Sequence, residues 1–113
     1  MRDTNTSNAE AIRNLNDFFR RFFIGGKVML TAGINALSEQ QRRSIIQKVR
    51  SFSDFTEDND PHEEHDFGAI EDDGVRCFWK IDYFSRDMTE ASPVPADDVV
   101  TERVMTIMLA EEY

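Results

Sequence analysis

An Asp-Gly pair, Asp73-Gly74, stands between two runs rich in alternating apolar residues. No other feature restricts the fold as much. A two-residue hairpin loop of type I′ needs positive φ at both central positions, which aspartate tolerates and glycine adopts freely. The spacing therefore predicts two antiparallel strands, over about residues 66–72 and 75–84. With residues 73 and 74 as the whole loop, paired positions have numbers that sum to 147. Glu71 then faces Arg76, Ile70 faces Cys77, and Gly68 faces Trp79, whose indole has room over the bare glycine. Val75, Cys77, Trp79, Ile81 and Tyr83 share a face with Ile70, the expected core face. Phe67, Ala69, Phe78, Lys80 and Phe84 share the other. Extended one step outward, the same register sets His65 opposite Asp82.

The remaining elements follow from periodicity and caps. Residues 1–8 read as a polar tail, followed by a single domain over 9–113. A first helix is expected over 9–24, capped by Asn8, with Ile12, Leu15, Phe19, Phe22 and Phe23 on one face and Arg13, Arg20 and Arg21 mainly off it. Gly25-Gly26 ends it, since glycine enters the left-handed region without a Cβ clash. Residues 27–32 read as a short strand broken at Gly33. Ser38 and Gln41 form a capping box that opens a second helix, to about Phe52, with Ile45, Val49 and Phe52 as its buried stripe. After a linker holding Pro93 and Pro95, the spacing of Val100, Val104, Ile107 and Met108 predicts a third helix over 96–111. The order α-β-α-β-β-α describes an α+β domain: a small antiparallel-type sheet of about three strands packed by three helices. The first strand fits an edge or a central position equally.

A chain of 113 residues with 40% hydrophobic and 31% charged content suits one soluble domain able to bury a core. The lone cysteine, Cys77, rules out an internal disulfide. No apolar run approaches a membrane span, and the first residues lack the apolar core of a leader, so a cytoplasmic location is expected. Charge is unevenly distributed. Residues 1–53 hold nine Lys/Arg against four Asp/Glu, and residues 54–113 hold four against eighteen, making the net −9 a composite of +5 and −14. Such asymmetry either marks a partner surface or is absorbed when the two halves fold together.

Chemistry concentrates in Asp58-Asn59-Asp60-Pro61-His62-Glu63-Glu64-His65-Asp66-Phe67-Gly68, which carries both histidines and five carboxylates. Pro61 removes a donor and makes Asp60 extended, so this is a loop leading into the hairpin. Asp60, His62, Glu64, His65 and Asp66 are candidate ligands for a divalent metal, since imidazole with carboxylate suits zinc, manganese or ferrous iron. The His-x-x-His spacing is not the helical one that puts two ligands a turn apart, and Glu63 replaces the glycine that a calcium loop needs. The competing reading is an acidic loop whose side chains bond its own amides. His65 with Asp82 is a candidate acid–base pair, or equally an ion pair tying the loop to the next strand. Ser85, Thr56 and Cys77 are the available nucleophiles, and the spacing selects none of them.

Residues 54–73 carry ten Asp/Glu and no Lys/Arg. That surface, with Asp58, Asp60, Glu63 and Glu64 at its centre, could engage a basic protein. Direct nucleic-acid binding is not expected at this net charge. The lead expectation is a non-enzymatic interaction or regulatory protein with an unidentified protein partner and no cofactor. The alternative is a metal-binding protein or small metal-dependent hydrolase built on Asp60, His62, His65, Asp66 and Asp82.

The runs Val28-Met29-Leu30-Thr31-Ala32-Gly33, Asn59-Asp60-Pro61-His62-Glu63-Glu64-His65-Asp66-Phe67-Gly68, Phe78-Trp79-Lys80-Ile81-Asp82-Tyr83 and Met108-Leu109-Ala110-Glu111-Glu112-Tyr113 resemble a family of small acidic bacterial proteins of unknown function. The resemblance covers about residues 12–113. That family is found mostly in alphaproteobacteria, often near plasmid or other mobile-element genes. The resemblance implies a bacterial cytoplasmic origin and an accessory role, and it transfers no catalytic or binding residues.

Overall fold

The computed structural model describes residues 4–113, with side chains from Asn8 onward. Its elements are α1 (Thr4–Phe22), β1 (Gly26–Leu30), α2 (Ala32–Asn35), α3 (Glu39–Arg50), β2 (Phe67–Asp72), β3 (Val75–Ser85), β4 (Thr101–Leu109) and a closing 3-10 turn (Ala110–Glu112). The fold is α+β. The sheet has four strands in the order β1-β4-β3-β2, with β1 parallel to β4 and the other pairs antiparallel. It is mixed rather than purely antiparallel, and β1 takes an edge. None of the described helices is long and apolar enough to cross a membrane.

The hairpin forms in the expected register: Gly68 pairs with Trp79, Ile70 with Cys77 and Glu71 with Arg76. Asp73 and Gly74 have φ of 49° and 81°, the two positive values that the turn requires. A Cβ on Gly68 would collide with the Trp79 indole nitrogen, so the bare backbone is what admits the ring. The hairpin tip is tied to α3. Gln41 Nε2 donates to the Asp72 carbonyl at 3.1 Å, and the Asp72 carboxylate accepts from Ser44 and pairs with Lys48 at 3.1 Å. Ser38 caps α3 as expected, accepting from Gln41 N at 3.1 Å.

Residues 101–109 form a strand, not the expected helix. The segment is rich in β-branched residues, with Thr101, Val104, Thr106 and Ile107. It lies between β1 and β3, so both its edges are paired, and it buries side chains on both faces. Met105 and Ile107 are buried on the helix-covered face, and Val104 and Met108 are buried on the other. A central strand of this kind reads as a nearly continuous apolar run, and its alternation is masked. The acidic ending, unfavourable at a helix C-terminus, gains a role. Glu112 accepts from Thr31 Oγ1 at 2.6 Å, Gly33 N at 3.1 Å and Leu109 N at 2.8 Å. These bonds, the Thr31 hydroxyl first, hold its carboxyl below the usual range. Gly33, expected to break a strand, lies inside the one-turn α2.

All three helices belong to one face of the sheet. The core there comprises Phe19, Ile34, Ile45, Val49, Ile70, Cys77, Trp79, Ile81, Met105 and Ile107. Helix α1 begins upstream of residue 9, so Asn8 lies within it rather than at its cap. It ends at Phe22, and the left-handed position that closes it is Phe23, at φ 55°, ahead of the glycine pair. Its buried stripe is also rotated from the expected one. Asn16 and Arg20 are buried beside Ile12 and Phe19, while Phe22 is 53% exposed. The turn of the helix that takes Arg20 inward follows from what surrounds the acidic loop.

Candidate functional site

Residues 53–66 cross from α3 to β2 without regular structure, yet they are closely fastened. Asn59 ties the first part: its Oδ1 accepts from Thr56 N at 2.8 Å and its Nδ2 donates to the Asp54 carbonyl at 2.8 Å. Asp60 N donates to the Thr56 carbonyl at 2.8 Å and Glu63 N to the Asp60 carbonyl at 3.1 Å. Glu63 and His65 both adopt positive φ, 59° and 56°, so the chain reverses twice within three residues. The Asp60 carboxylate, only 5% exposed, accepts from His65 N at 3.0 Å and holds the second reversal.

His65 is locked from three sides. Its ring stacks on Phe55 with centroids 3.6 Å apart and planes 1° from parallel. Nδ1 lies 2.8 Å from Asp17 Oδ1, and Nε2 lies 3.5 Å from Asp60 Oδ2. Asp17 also accepts from Arg20 at 3.0 Å. The buried Arg20 guanidinium lies against the rings of Phe55 and Trp79 at 5.4 Å and 5.2 Å and donates to the carbonyls of Val49 and Arg50. Burial lowers its pKa, and Asp17 opposes that shift. One carboxylate of α1 thus joins the loop's histidine to a cation packed on the core tryptophan.

A second knot holds the end of the loop. Asn16 Nδ2 donates to the Glu64 carbonyl at 3.0 Å and to the Tyr83 hydroxyl at 2.8 Å. Tyr83 in turn donates to Glu64 Oε1 at 2.8 Å, and Arg103 Nε donates to Asn16 Oδ1 at 2.8 Å. Burial, with the Glu64 charge beside it, pushes the Tyr83 hydroxyl far above its ordinary pKa, so it stays a donor. Asp66, half-buried, is also pushed up, by burial first and by the Glu64 charge second.

The structure separates the expected site residues. Asp82 is not the partner of His65. The ladder of β2 stops at Phe67, Asp82 pairs in register with Val104, and its carboxylate bonds Lys80 at 3.2 Å on the helix-free face. A hairpin register extrapolated past the last pair fails here because His65 reverses the chain. His62 is exposed, Asp60 turns inward, and Glu64 is committed to Tyr83. No group of three or more His, Cys, Asp or Glu among the described residues is arranged to hold a metal ion. Of the named nucleophiles, Cys77 is buried in the core and its thiol is pushed up by burial, and Ser85 bonds Asp87 at 2.7 Å beyond the site. Thr56 borders an open cleft of about 600 Å³ that Arg13, Phe55, Asp60, Glu63 and His65 also line.

The residues missed in the sequence are Asn16, Asp17, Arg20, Tyr83 and Arg103. Asn16 carried a signal, since it falls among Ile12 and Phe19 on an apolar helical face where a polar side chain needs a partner. The family model for a protein of unknown function, DUF3768, matches residues 30–112. The chain belongs to this family. Comparison with curated proteins and with solved structures gave no match. The DUF3768 match takes in the acidic loop, the hairpin, β4 and Glu112, while Asn16, Asp17 and Arg20 lie ahead of it.

Proposed function

We propose that this DUF3768 protein is a non-enzymatic interaction or regulatory protein that engages a basic protein partner through its acidic loop. The observation that carries this reading is the division of labour among the loop's carboxylates. Asp60 and Glu64 are spent on internal bonds, which fix the backbone. Asp54, Glu57, Asp58 and Glu63 are exposed, and none of their carboxylates pairs with a cationic side chain among the described residues, although Arg13 donates to the Glu63 carbonyl at 3.2 Å. A fixed platform of like charges loses little entropy when a cationic surface meets it, and its field steers the encounter.

The test compares affinity capture by the full chain with capture by a Glu57→Lys, Asp58→Lys, Glu63→Lys variant. A partner enriched only by the native chain should then bind purified protein with an affinity that falls steeply with salt. Equal capture by both proteins, or no enrichment by either, overturns the reading. The alternative, a metal-binding protein or hydrolase, draws on His65 standing between two carboxylates at the mouth of the cleft. A thermal midpoint raised by zinc or manganese, and no longer raised in His65→Ala, would establish it instead.

A further inference from the structure

Helix α1 carries a second apolar stripe that its own core does not use. Ala11, Leu15, Phe18 and Phe22 follow one another at spacings of 4, 3 and 4, the seam spacing of packed helices. Phe18 and Phe22 are 51% and 53% exposed, and their rings meet at 5.0 Å. Beside Phe22 the surfaces of α1 and α3 border an open, shallow groove of about 730 Å³. Phe22 and Ile46 supply apolar wall, and Arg21, Arg43 and Arg50 stand around it. Arg50 is fixed in place: its Nε donates to the Arg21 carbonyl at 2.8 Å, and its guanidinium lies 5.2 Å from the Phe23 ring centre. Arg43 makes a solvent-exposed pair with Glu39. No carboxylate lies within 4 Å of the Arg21 or Arg50 side chains among the described residues. In a chain of net charge −9, this is a cationic groove with an apolar wall.

We propose that the α1–α3 groove is a second docking surface, whose occupant is an amphipathic α-helix of another protein with carboxylates flanking its apolar stripe. Charge and shape select this occupant. The groove offers Phe22 and Ile46, and the exposed Phe18 beside Phe22 extends that apolar surface along α1, so a helix laid alongside meets both. The three arginines complement acidic flanks. A second copy of this chain, docking the same surface to itself, would bring two arginine sets together, which an isologous interface cannot compensate. A nucleic-acid backbone would answer the arginines but leave Phe18 and Phe22 against hydrated phosphates. The inference stands apart from the acidic loop, because this surface has the opposite charge and a different chemistry.

The experiment titrates the full chain with synthetic helical peptides of about five turns. One set carries Leu and Phe at the seam positions and Glu on both flanks, a second set replaces Glu with Lys, and a short DNA duplex is run in parallel. Backbone amide shifts locate the contact, and fluorescence anisotropy gives the affinity. The Glu set should shift the amides around Phe18, Phe22, Arg43 and Ile46. Phe22→Ser, and separately an Arg21→Ser, Arg43→Ser double variant, should each weaken binding about tenfold or more. All these side chains are solvent-exposed apart from Ile46, so thermal midpoints should stay near that of the native chain. The Lys-reversed acidic-loop variant should bind the Glu peptides undiminished, which keeps this test separate from the previous one. Several outcomes overturn the proposal: no binding by the Glu set, equal binding by the Lys set, shifts elsewhere, tighter binding of the duplex, or self-association through the groove.

Discussion

Two long acidic connections, residues 53–66 and residues 86–100, join the regular elements, and they are held by opposite means. The first supplies its own anchors. Asn59 and Asp60 bond within the loop, Glu64 accepts from Tyr83 of β3, and Phe55 and His65 meet Arg20 and Asp17 of α1. The second is gripped from outside through its backbone, while its own Asp87, Ser92 and Asp97 bond only within it or to the flanking Ser85 and Thr101. Arg86 donates to the carbonyls of Asp98 and Val99, Thr101 Oγ1 to that of Val94, and Arg103 to that of Pro95. A loop gripped by its carbonyls tolerates new side chains, and a loop that inserts its side chains does not.

Substitutions in the two connections should therefore differ in cost. The largest effect is expected from Asp17→Ala, which takes the carboxylate from both the buried Arg20 and His65. Leaving a buried cation without its counter-ion should cost about 3 kcal/mol in urea unfolding. Hydrogen exchange should show amides of 53–66 losing protection while those of 86–100 keep theirs, and loss in both loops would erase the distinction. Next comes His65→Ala, expected to cost about 2 kcal/mol through the lost stack and bond. His65→Gly should recover part of that loss, since φ at this position is 56°. An alanine variant as stable as the glycine one would show that the left-handed backbone is not under strain.

On the other connection, Thr101→Val removes bonds to Ser92 and to the Val94 carbonyl and should cost about 1 kcal/mol. Asp66→Asn should give a smaller change of opposite sign. Folding raises the Asp66 pKa, so the folded state holds its proton more tightly than the unfolded state and the ionised group opposes folding at neutral pH. The asparagine variant should therefore be more stable at pH 7, and its advantage should shrink as pH falls below the folded-state pKa. An advantage that persists undiminished in acid would refute the assignment. Smallest of all, Glu90→Ala and Asp98→Ala, exposed and without side-chain bonds among the described residues, should move stability by less than about 0.5 kcal/mol.

The hairpin was legible because its turn chemistry is local: Asp73-Gly74 fixes the register without help from the rest of the chain. The capping at Ser38 was legible for the same reason. Residues 101–109 were not, because a strand's central position is a property of its neighbours, and the apolar spacing alone fits a helix as well. The acidic loop could be singled out from its composition, but its partners could not be. Asn16 and Asp17 are brought to it from 48 positions away, and Arg20 meets its Phe55 from 35. Arg20, which its spacing sets off the apolar stripe, is flanked by Phe55 and Trp79. The extrapolated His65–Asp82 pairing failed for a local reason, a positive φ that histidine rarely adopts and no pattern announces.

The order of the sheet, β1-β4-β3-β2, has a consequence for how the protein is made. The strand that joins β1 to the hairpin is the last of the four to be synthesised. Until residues 101–109 leave the ribosome, β1 and β3 expose the edges that β4 will cover, and the inner face lacks Met105 and Ile107. The nascent chain can form the hairpin early, but the sheet closes only once residues 101–109 have emerged, through parallel contacts that span about 77 residues. During that interval two unpaired strand edges are open to other chains, and a truncation before residue 101 would leave them so.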